Sequence, residues 1–197
     1  MLIPLSEIVR AISAAPWRQR SHPRCVPAAV LLPLVNRDQG AHVLIIERAR
    51  DQSPHSGQMA FPGGKLEAAD RSTAEAALRE AGEEINLRPE QVQVLGSMGY
   101  FRTMTSRFDA AVTLGSLPPE LNLRRSREVA NIFEIPLASL LMDFDPSLKT
   151  CTRGGLLNLH FHVQPREVNR TICIWGLTAR ILHHFFLALH LLPQDLA

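Results

Sequence analysis

Several things are scarce in this chain, and each scarcity narrows what it can be. Cysteine occurs three times, at Cys25, Cys151 and Cys173. An odd count at wide spacing with no CxxC pair speaks against a disulfide framework and against structural zinc, and free thiols in a reducing cytoplasm are expected. Excess charge is also missing. Lys plus Arg is 21 against Asp plus Glu 19, a net +2, too little to argue for a nucleic-acid or membrane partner. No long unbroken apolar run is present. The stretch Ile172 to Leu192 comes nearest, but Arg180, His183, His184 and His190 interrupt it, which excludes a membrane span. The N-terminal residues MLIPLSEIVRAISAAPWRQR lack an apolar run with a cleavage site, so no signal peptide is expected.

What is present suits a compact enzyme-sized domain. The chain has 197 residues and 46% hydrophobic content, with no internal repeat or linker, enough for one core. Leu5–Ile12 reads as a short amphipathic helix, followed by an irregular Pro- and Arg-bearing stretch from Pro16 to Pro27. Residues 1–27 are therefore expected to be a peripheral extension, and 28–197 the main domain. Ala28–Val35 and Ala41–Glu47 are aliphatic runs flanking a turn-rich pentapeptide, a hairpin pattern. Gln58–Phe61 reads as a short strand, and Pro62-Gly63-Gly64 as the stop of any regular element. Val92–Tyr100, Ala110–Ser116, Leu156–Val163 and Thr171–Trp175 are further strand candidates. Phe133–Leu141 reads as a short helix, and Gly176–Leu192 as the last one. The fold class is thus α/β, a mixed sheet sandwiched between helices.

One helix carries the chemistry. Ser72-Thr73-Ala74-Glu75 has the form of a capping box, which starts a helix running to about Ile85. At about 100° per residue, Glu83 and Glu84 fall on either side of Glu80, while Ala74, Ala77, Leu78, Ala81 and Ile85 form a separate apolar stripe. Three like charges on one face repel, and hard divalent cations such as Mg²⁺ or Mn²⁺ prefer such oxygen donors, with substrate phosphates completing the shell. Arg79, next door, can pair with a glutamate and fix its rotamer. A solvated acidic face is the plain alternative.

The segment Phe61-Pro62-Gly63-Gly64-Lys65, then Asp70, then Arg79-Glu80-Ala81-Gly82-Glu83-Glu84-Ile85-Asn86-Leu87 resembles the Nudix box. The gap from Gly64 to Arg79 is one residue longer than the general box, a length familiar in the coenzyme A branch. Asn86 replaces the usual Gly at a helix end that wants the left-handed conformation, and Asn tolerates it next best. Upstream, Leu44-Ile45-Ile46-Glu47-Arg48-Ala49 and His55 to Gly64 look like the extra motif of the coenzyme A pyrophosphatases, except that Ile46 replaces a Thr and Ser53 an Arg. Arg127-Glu128-Val129, Phe133 to Leu137 and Trp175-Gly176-Leu177-Thr178-Ala179 extend the similarity over most of the chain.

The resemblance implies an α/β/α Nudix sandwich. It also implies metal-dependent hydrolysis of a small-molecule diphosphate, with coenzyme A or acyl-CoA cleaved to 3′,5′-ADP and (acyl-)4′-phosphopantetheine. Glu80, Glu83, Glu84 and Glu128 would hold Mg²⁺ or Mn²⁺. Glu83, Glu84 or Glu128 would serve as base, with Arg79 in support. Arg48, Gly63, Gly64, Lys65 and Arg107 would meet the diphosphate. Tyr100, Phe101 and Phe108 could stack on adenine or simply fill a core. Alternatives are a Nudix pyrophosphatase for another nucleoside diphosphate derivative and a non-catalytic Nudix-fold module, which would normally have lost the box glutamates. The apolar last helix suits a homodimer interface and burial within the monomer equally.

Overall fold

A computed structural model describes residues 4–50, 56–103, 107–142, 150–151 and 157–192. The elements are α1 (Leu5–Ala14), β1 (Val26–Arg37), β2 (Gly40–Arg48), β3 (Met59–Ala60), β4 (Gly63–Lys65), α2 (Thr73–Ile85), β5 (Gln93–Arg102), β6 (Phe108–Leu117), β7 (Val129–Pro136), α3 (Leu137–Met142), β8 (Thr150–Cys151), β9 (Leu157–Asn158), β10 (His160–Val163), β11 (Ile172–Trp175) and α4 (Gly176–Ala188), with a 3₁₀ turn at Pro89–Gln91.

The main sheet is mixed. β1 runs parallel to β6 along one edge, and β5 closes that side antiparallel to β6. On its other edge β1 pairs with β2 only from Leu34 to Arg37, and further back, from Ala28 to Val30, with β4. β2 likewise leaves β1 and pairs with β3 at Ile46 and Glu47. The hairpin strands therefore splay, and the segment Met59–Lys65 wedges between them. This placement brings Gly63 and Gly64 into the middle of the molecule.

Both faces of the sheet are covered, which is why β1 and β2 read as near-continuous aliphatic runs. One face carries Leu32, Leu34, Val43 and Ile45 against α1, α3 and α4, with Phe133, Phe161, Phe185 and Phe186 filling the space. The other carries Ala29, Leu31, Leu44 and Ile46 against Ala76, Ala77, Ala81 and Ile85 of α2. Helices flank the sheet on both sides, the sandwich expected from sequence.

Four expectations need correction. Phe133–Pro136 is strand, not helix. Phe133 and Ile135 are both buried on one face at a spacing of two, β2 offers a free edge from His42 to Arg48, and the helix begins only at Leu137 after Pro136. Gly63-Gly64-Lys65 does not end regular structure but forms β4, because the absence of side chains lets it pair closely with β1. The hairpin turn is the two residues Asp38 and Gln39, since pairing continues to Arg37 and Gly40. The last helix ends at Ala188, short of Leu192. The N-terminal segment is also less peripheral than expected. Ile8 and Ile12 of α1 are buried in the core, and the Trp17 indole donates to the Ile12 carbonyl at 2.7 Å. Arg18 pairs with the buried Asp109, which also accepts from the His22 N–H at 2.6 Å.

Candidate active site

Helix α2 is fixed at both ends by its own sequence. The Ser72 hydroxyl accepts from the Glu75 N–H at 3.1 Å, one half of the expected box; the reciprocal carboxylate of Glu75 reaches past the cap to the Arg71 N–H at 2.7 Å. At the far end Asn86 adopts φ 57° and ψ 32°, the left-handed cap, with its N–H on the Gly82 carbonyl at 3.0 Å. Small residues on the buried stripe bring the helix close to β1 and β4. A side chain at Gly64 would overlap the Glu80 carboxylate, and one at Gly63 would lie 2.7 Å from the Val30 Cα. Glycine at both positions is thus a packing requirement set by the approach of the acidic helix and the neighbouring strand.

The three helix glutamates have different surroundings. Glu84 exposes 6% of its side chain, Glu80 17% and Glu83 61%. Glu84 Oε2 accepts from the Gly63 N–H at 2.9 Å, and Oε1 lies 3.4 Å from Arg48 Nη1. Burial pushes Glu84 up to about 7, with Glu80 and Glu128 adding to the rise and the Gly63 N–H and Arg48 opposing it. Burial raises Glu80 as well, against the pull of Arg79.

Arg79 organises the exposed side. Its guanidinium bonds Asp70 in bidentate fashion, Nε to Oδ1 at 3.0 Å and Nη2 to Oδ2 at 3.2 Å. Nη1 reaches Glu80 at 3.1 Å and Glu83 at 3.2 Å, and Nη2 also meets the Lys65 carbonyl at 3.1 Å. These contacts raise the Arg79 pKa, the Asp70 hydrogen bonds most, and Asp70 falls below its ordinary range for the same reason. The carboxylates of Glu80 and Glu83 converge on one guanidinium nitrogen while Glu84 turns toward Gly63. Among the described residues no three of these acids bring oxygens within 4.8 Å of one another. The residue types suit a hard divalent cation: oxygen donors only, three on one helix face, two of them carrying burial-raised affinity for positive charge.

Glu128 joins this cluster from the approach to β7. Its carboxylate, 73% exposed, is 4.0 Å from Arg48 Nη2, and its carbonyl accepts from the Ala49 N–H at 2.7 Å. Arg48, the upstream candidate for phosphate contact, stands between Glu84 and Glu128. Lys65 is exposed and its Nζ lies 5.8 Å from the Phe108 ring centroid. Arg107 is exposed, with φ 56° and its carbonyl on the Val26 N–H at 2.8 Å; among the described residues it pairs with none of the acids. Ser53 and His55 lie outside the described residues. Tyr100 and Phe101 belong to the other side of the sheet, lining a cavity of about 590 Å³ with Trp17, Arg180 and His184 between α1, β5 and α4. Phe101 is buried there, 5.4 Å from the His184 ring, a core role. His183 and His184 sit on α4, across the sheet from the acids.

Asp70 was legible only as an acidic position; its bidentate hold on Arg79 was not. Thr178, in the motif Trp175 to Ala179, donates to the Met59 carbonyl at 3.0 Å and so ties α4 to the strand just before Gly63. Glu47, beside Arg48 in the upstream motif, is buried and held by Arg170 Nη2 at 2.6 Å and Asn131 Nδ2 at 2.7 Å. These contacts tie β2 to β7 and to the approach to β11.

This helix, loop and strand arrangement has its counterpart in known proteins. A family profile described as NUDIX domain matches residues 26–153. The chain belongs to the Nudix family. Relatives named uncharacterized Nudix hydrolase NudL agree with it over most of their length. The Enterobacter sp. protein is 37% identical over 167 residues, 84% of each chain. That of Photorhabdus laumondii is 37% identical over 158 residues, 79% of this chain and 81% of the relative. Among solved structures, a MutT/nudix family protein from Enterococcus faecalis superposes with TM-score 0.54 at 16% identity, over 93% of this chain and 68% of that one. A NUDIX hydrolase from Alicyclobacillus acidocaldarius gives TM-score 0.50 at 20% identity, over 62% of this chain and 83% of that one. At these identities the structures speak for the fold alone. The chain is a Nudix pyrophosphohydrolase acting on a small-molecule diphosphate, in a family that generally uses divalent metal ions. No helix among the described residues is long and apolar enough to cross a membrane.

Proposed function

We propose that this Nudix hydrolase cleaves the diphosphate of coenzyme A or acyl-CoA, giving 3′,5′-ADP and (acyl-)4′-phosphopantetheine, with Mg²⁺ or Mn²⁺ held by Glu80, Glu83, Glu84 and Glu128. The observation that carries the metal site is the approach of α2 to Gly63 and Gly64, which packs two partly buried carboxylates against a backbone free of side chains. Bound there, the metal would offset charge on the diphosphate oxygens and lower the pKa of the attacking water. Gly63 and Gly64 let the substrate approach the main chain. Arg48 and Lys65 offer positive charge beside the acids, and Arg107 offers it from the β6 side. Arg79 fixes the rotamers of Glu80 and Glu83 through Asp70. One of Glu83, Glu84 and Glu128 accepts the proton from water.

The coenzyme A assignment rests on the upstream motif and its changes. Ile46 is fully buried in the cluster under α2, so replacing a Thr there alters packing beneath the site rather than a substrate contact. That leaves Ser53 as the departure bearing on recognition, since Ser lacks the planar fork with which Arg grips phosphate. In the same reading residues 1–27 are an extension docked on the hydrolase domain 28–197, and the enzyme works in the cytoplasm, as a monomer or a homodimer. The test is incubation with coenzyme A, acetyl-CoA, ADP-ribose and dinucleoside polyphosphates in Mg²⁺ or Mn²⁺, with product identification. Formation of 3′,5′-ADP from coenzyme A is expected; turnover of another diphosphate with coenzyme A intact would reject the assignment.

A further inference from the structure

The β10–β11 hairpin has one face in the core and one outside. Phe161, Val163, Ile172 and Ile174 point inward and are buried. The alternating positions His160, His162, Cys173 and Trp175 therefore share the outer face. His162 lies directly opposite Cys173 in the antiparallel register, and His160 opposite Trp175. Cys173 Sγ sits 3.4 Å from His160 Nδ1, the two imidazoles stack with planes 19° apart, and one donor atom from each of the three residues falls within 4.8 Å of the others.

We propose that His160, His162 and Cys173 form a second metal site, for Zn²⁺, separate from the carboxylates of α2. With Zn–S of about 2.3 Å and Zn–N of about 2.0–2.1 Å, a tetrahedral ion sets its sulfur and nitrogen ligands roughly 3.5 Å apart. The observed 3.4 Å between Cys173 and His160 already has that spacing. His162 is exposed, so a side-chain rotation that costs no core contact brings its nitrogen to the third vertex. Sulfur and imidazole nitrogen are borderline donors that zinc accepts and Mg²⁺ avoids, so the two centres sort metals by hardness. Three protein ligands leave a fourth position open to water on the outer face. The ion links two strands, and β11 runs directly into α4, whose Thr178 holds the Met59 carbonyl. Zinc here pins the hairpin and the start of α4.

The test is titration of the reduced full-length chain with Co²⁺ in excess Mg²⁺, then displacement by Zn²⁺. A thiolate-to-cobalt charge-transfer band reports sulfur ligation and is silent for metal on carboxylates. One equivalent should produce the band and Zn²⁺ should abolish it, while Zn²⁺ at 100 times its Kd should raise Tm by about 5–10 °C. Cys173→Ser should lose the band and Cys25→Ser and Cys151→Ser keep it. His162→Ala, an exposed change that leaves folding intact, should weaken Zn²⁺ at least about tenfold. Absence of the band, its survival in Cys173→Ser, or unchanged Zn²⁺ affinity in His162→Ala would overturn the proposal.

Discussion

The two faces of the central sheet are covered by helices of opposite character. α2 meets β1 and β4 through Ala76, Ala77 and Ala81, whereas α4 fills its side with Leu182, Phe185 and Phe186. Small residues let α2 come close enough for Glu80 to touch Gly64 and for Glu84 to take the Gly63 N–H. On the other face a cavity of about 590 Å³ opens between α1, β5 and α4, beside Trp17 and Arg180. Close approach of α2 sets Glu80 and Glu84 against the Gly63–Gly64 backbone, whereas the cavity beside α4 lies across the sheet from these acids.

A side chain at the closest point of the α2 face should do the most damage. Gly64→Val is expected to lower kcat/KM for diphosphate hydrolysis at least about 100-fold, because its Cβ displaces the Glu80 carboxylate, with circular dichroism unchanged. The mirror experiment on the α4 face is Leu182→Ala. It should cost about 2–5 kcal/mol in denaturant unfolding and leave kcat/KM of the folded enzyme within about twofold. Equal losses of activity in the two variants would break the comparison.

Arg79→Ala comes next. It leaves α2 in place but frees Glu80, Glu83 and Asp70 from their common partner, and should weaken Mn²⁺ binding by about 10- to 100-fold in a calorimetric titration. A smaller effect lies in the pH dependence of the metal-free chain. Glu84 is raised from the ordinary 4.5 to about 7, so the folded state holds a proton there that the unfolded state has released. The stabilising contribution is full below 4.5 and is lost as pH rises through 7. Unfolding free energy should therefore drop across that window in the wild type and drop less in Glu84→Gln, where the raised Glu80 still contributes in the same direction. Metal needs the ionised form, so affinity should climb by up to about tenfold per unit toward pH 7 and then level off. Smallest of all, Asn86→Gly should change stability by a few tenths of a kcal/mol, while Asn86→Ala at φ 57° should cost about 1 kcal/mol.

The acidic face of α2 was legible because helical spacing alone fixes which residues share it. The sandwich was legible because β1 and β2 carry unbroken aliphatic runs. The end of strand β7 reads as helix because Phe133 to Pro136 shows too short a run for its period of two to stand out, and its partner β2 lies more than 80 positions earlier in the chain. The Gly63–Lys65 strand was hidden because its pairing depends on the splaying of β1 from β2, which no local pattern records. Arg48 could be singled out as a cation but not placed between Glu84 and Glu128. The grouping of His160, His162 and Cys173 was not legible, because cysteine spacing takes no account of two histidines at alternate positions of a facing strand.

The most direct measurement is Mn²⁺ binding and kcat/KM for the preferred diphosphate in Glu84→Gln beside the wild type. Loss of at least about tenfold in affinity and a much larger loss in kcat/KM, with the fold retained, is the predicted result. Unchanged affinity and turnover would contradict the placing of the metal and the chemistry on this face of α2.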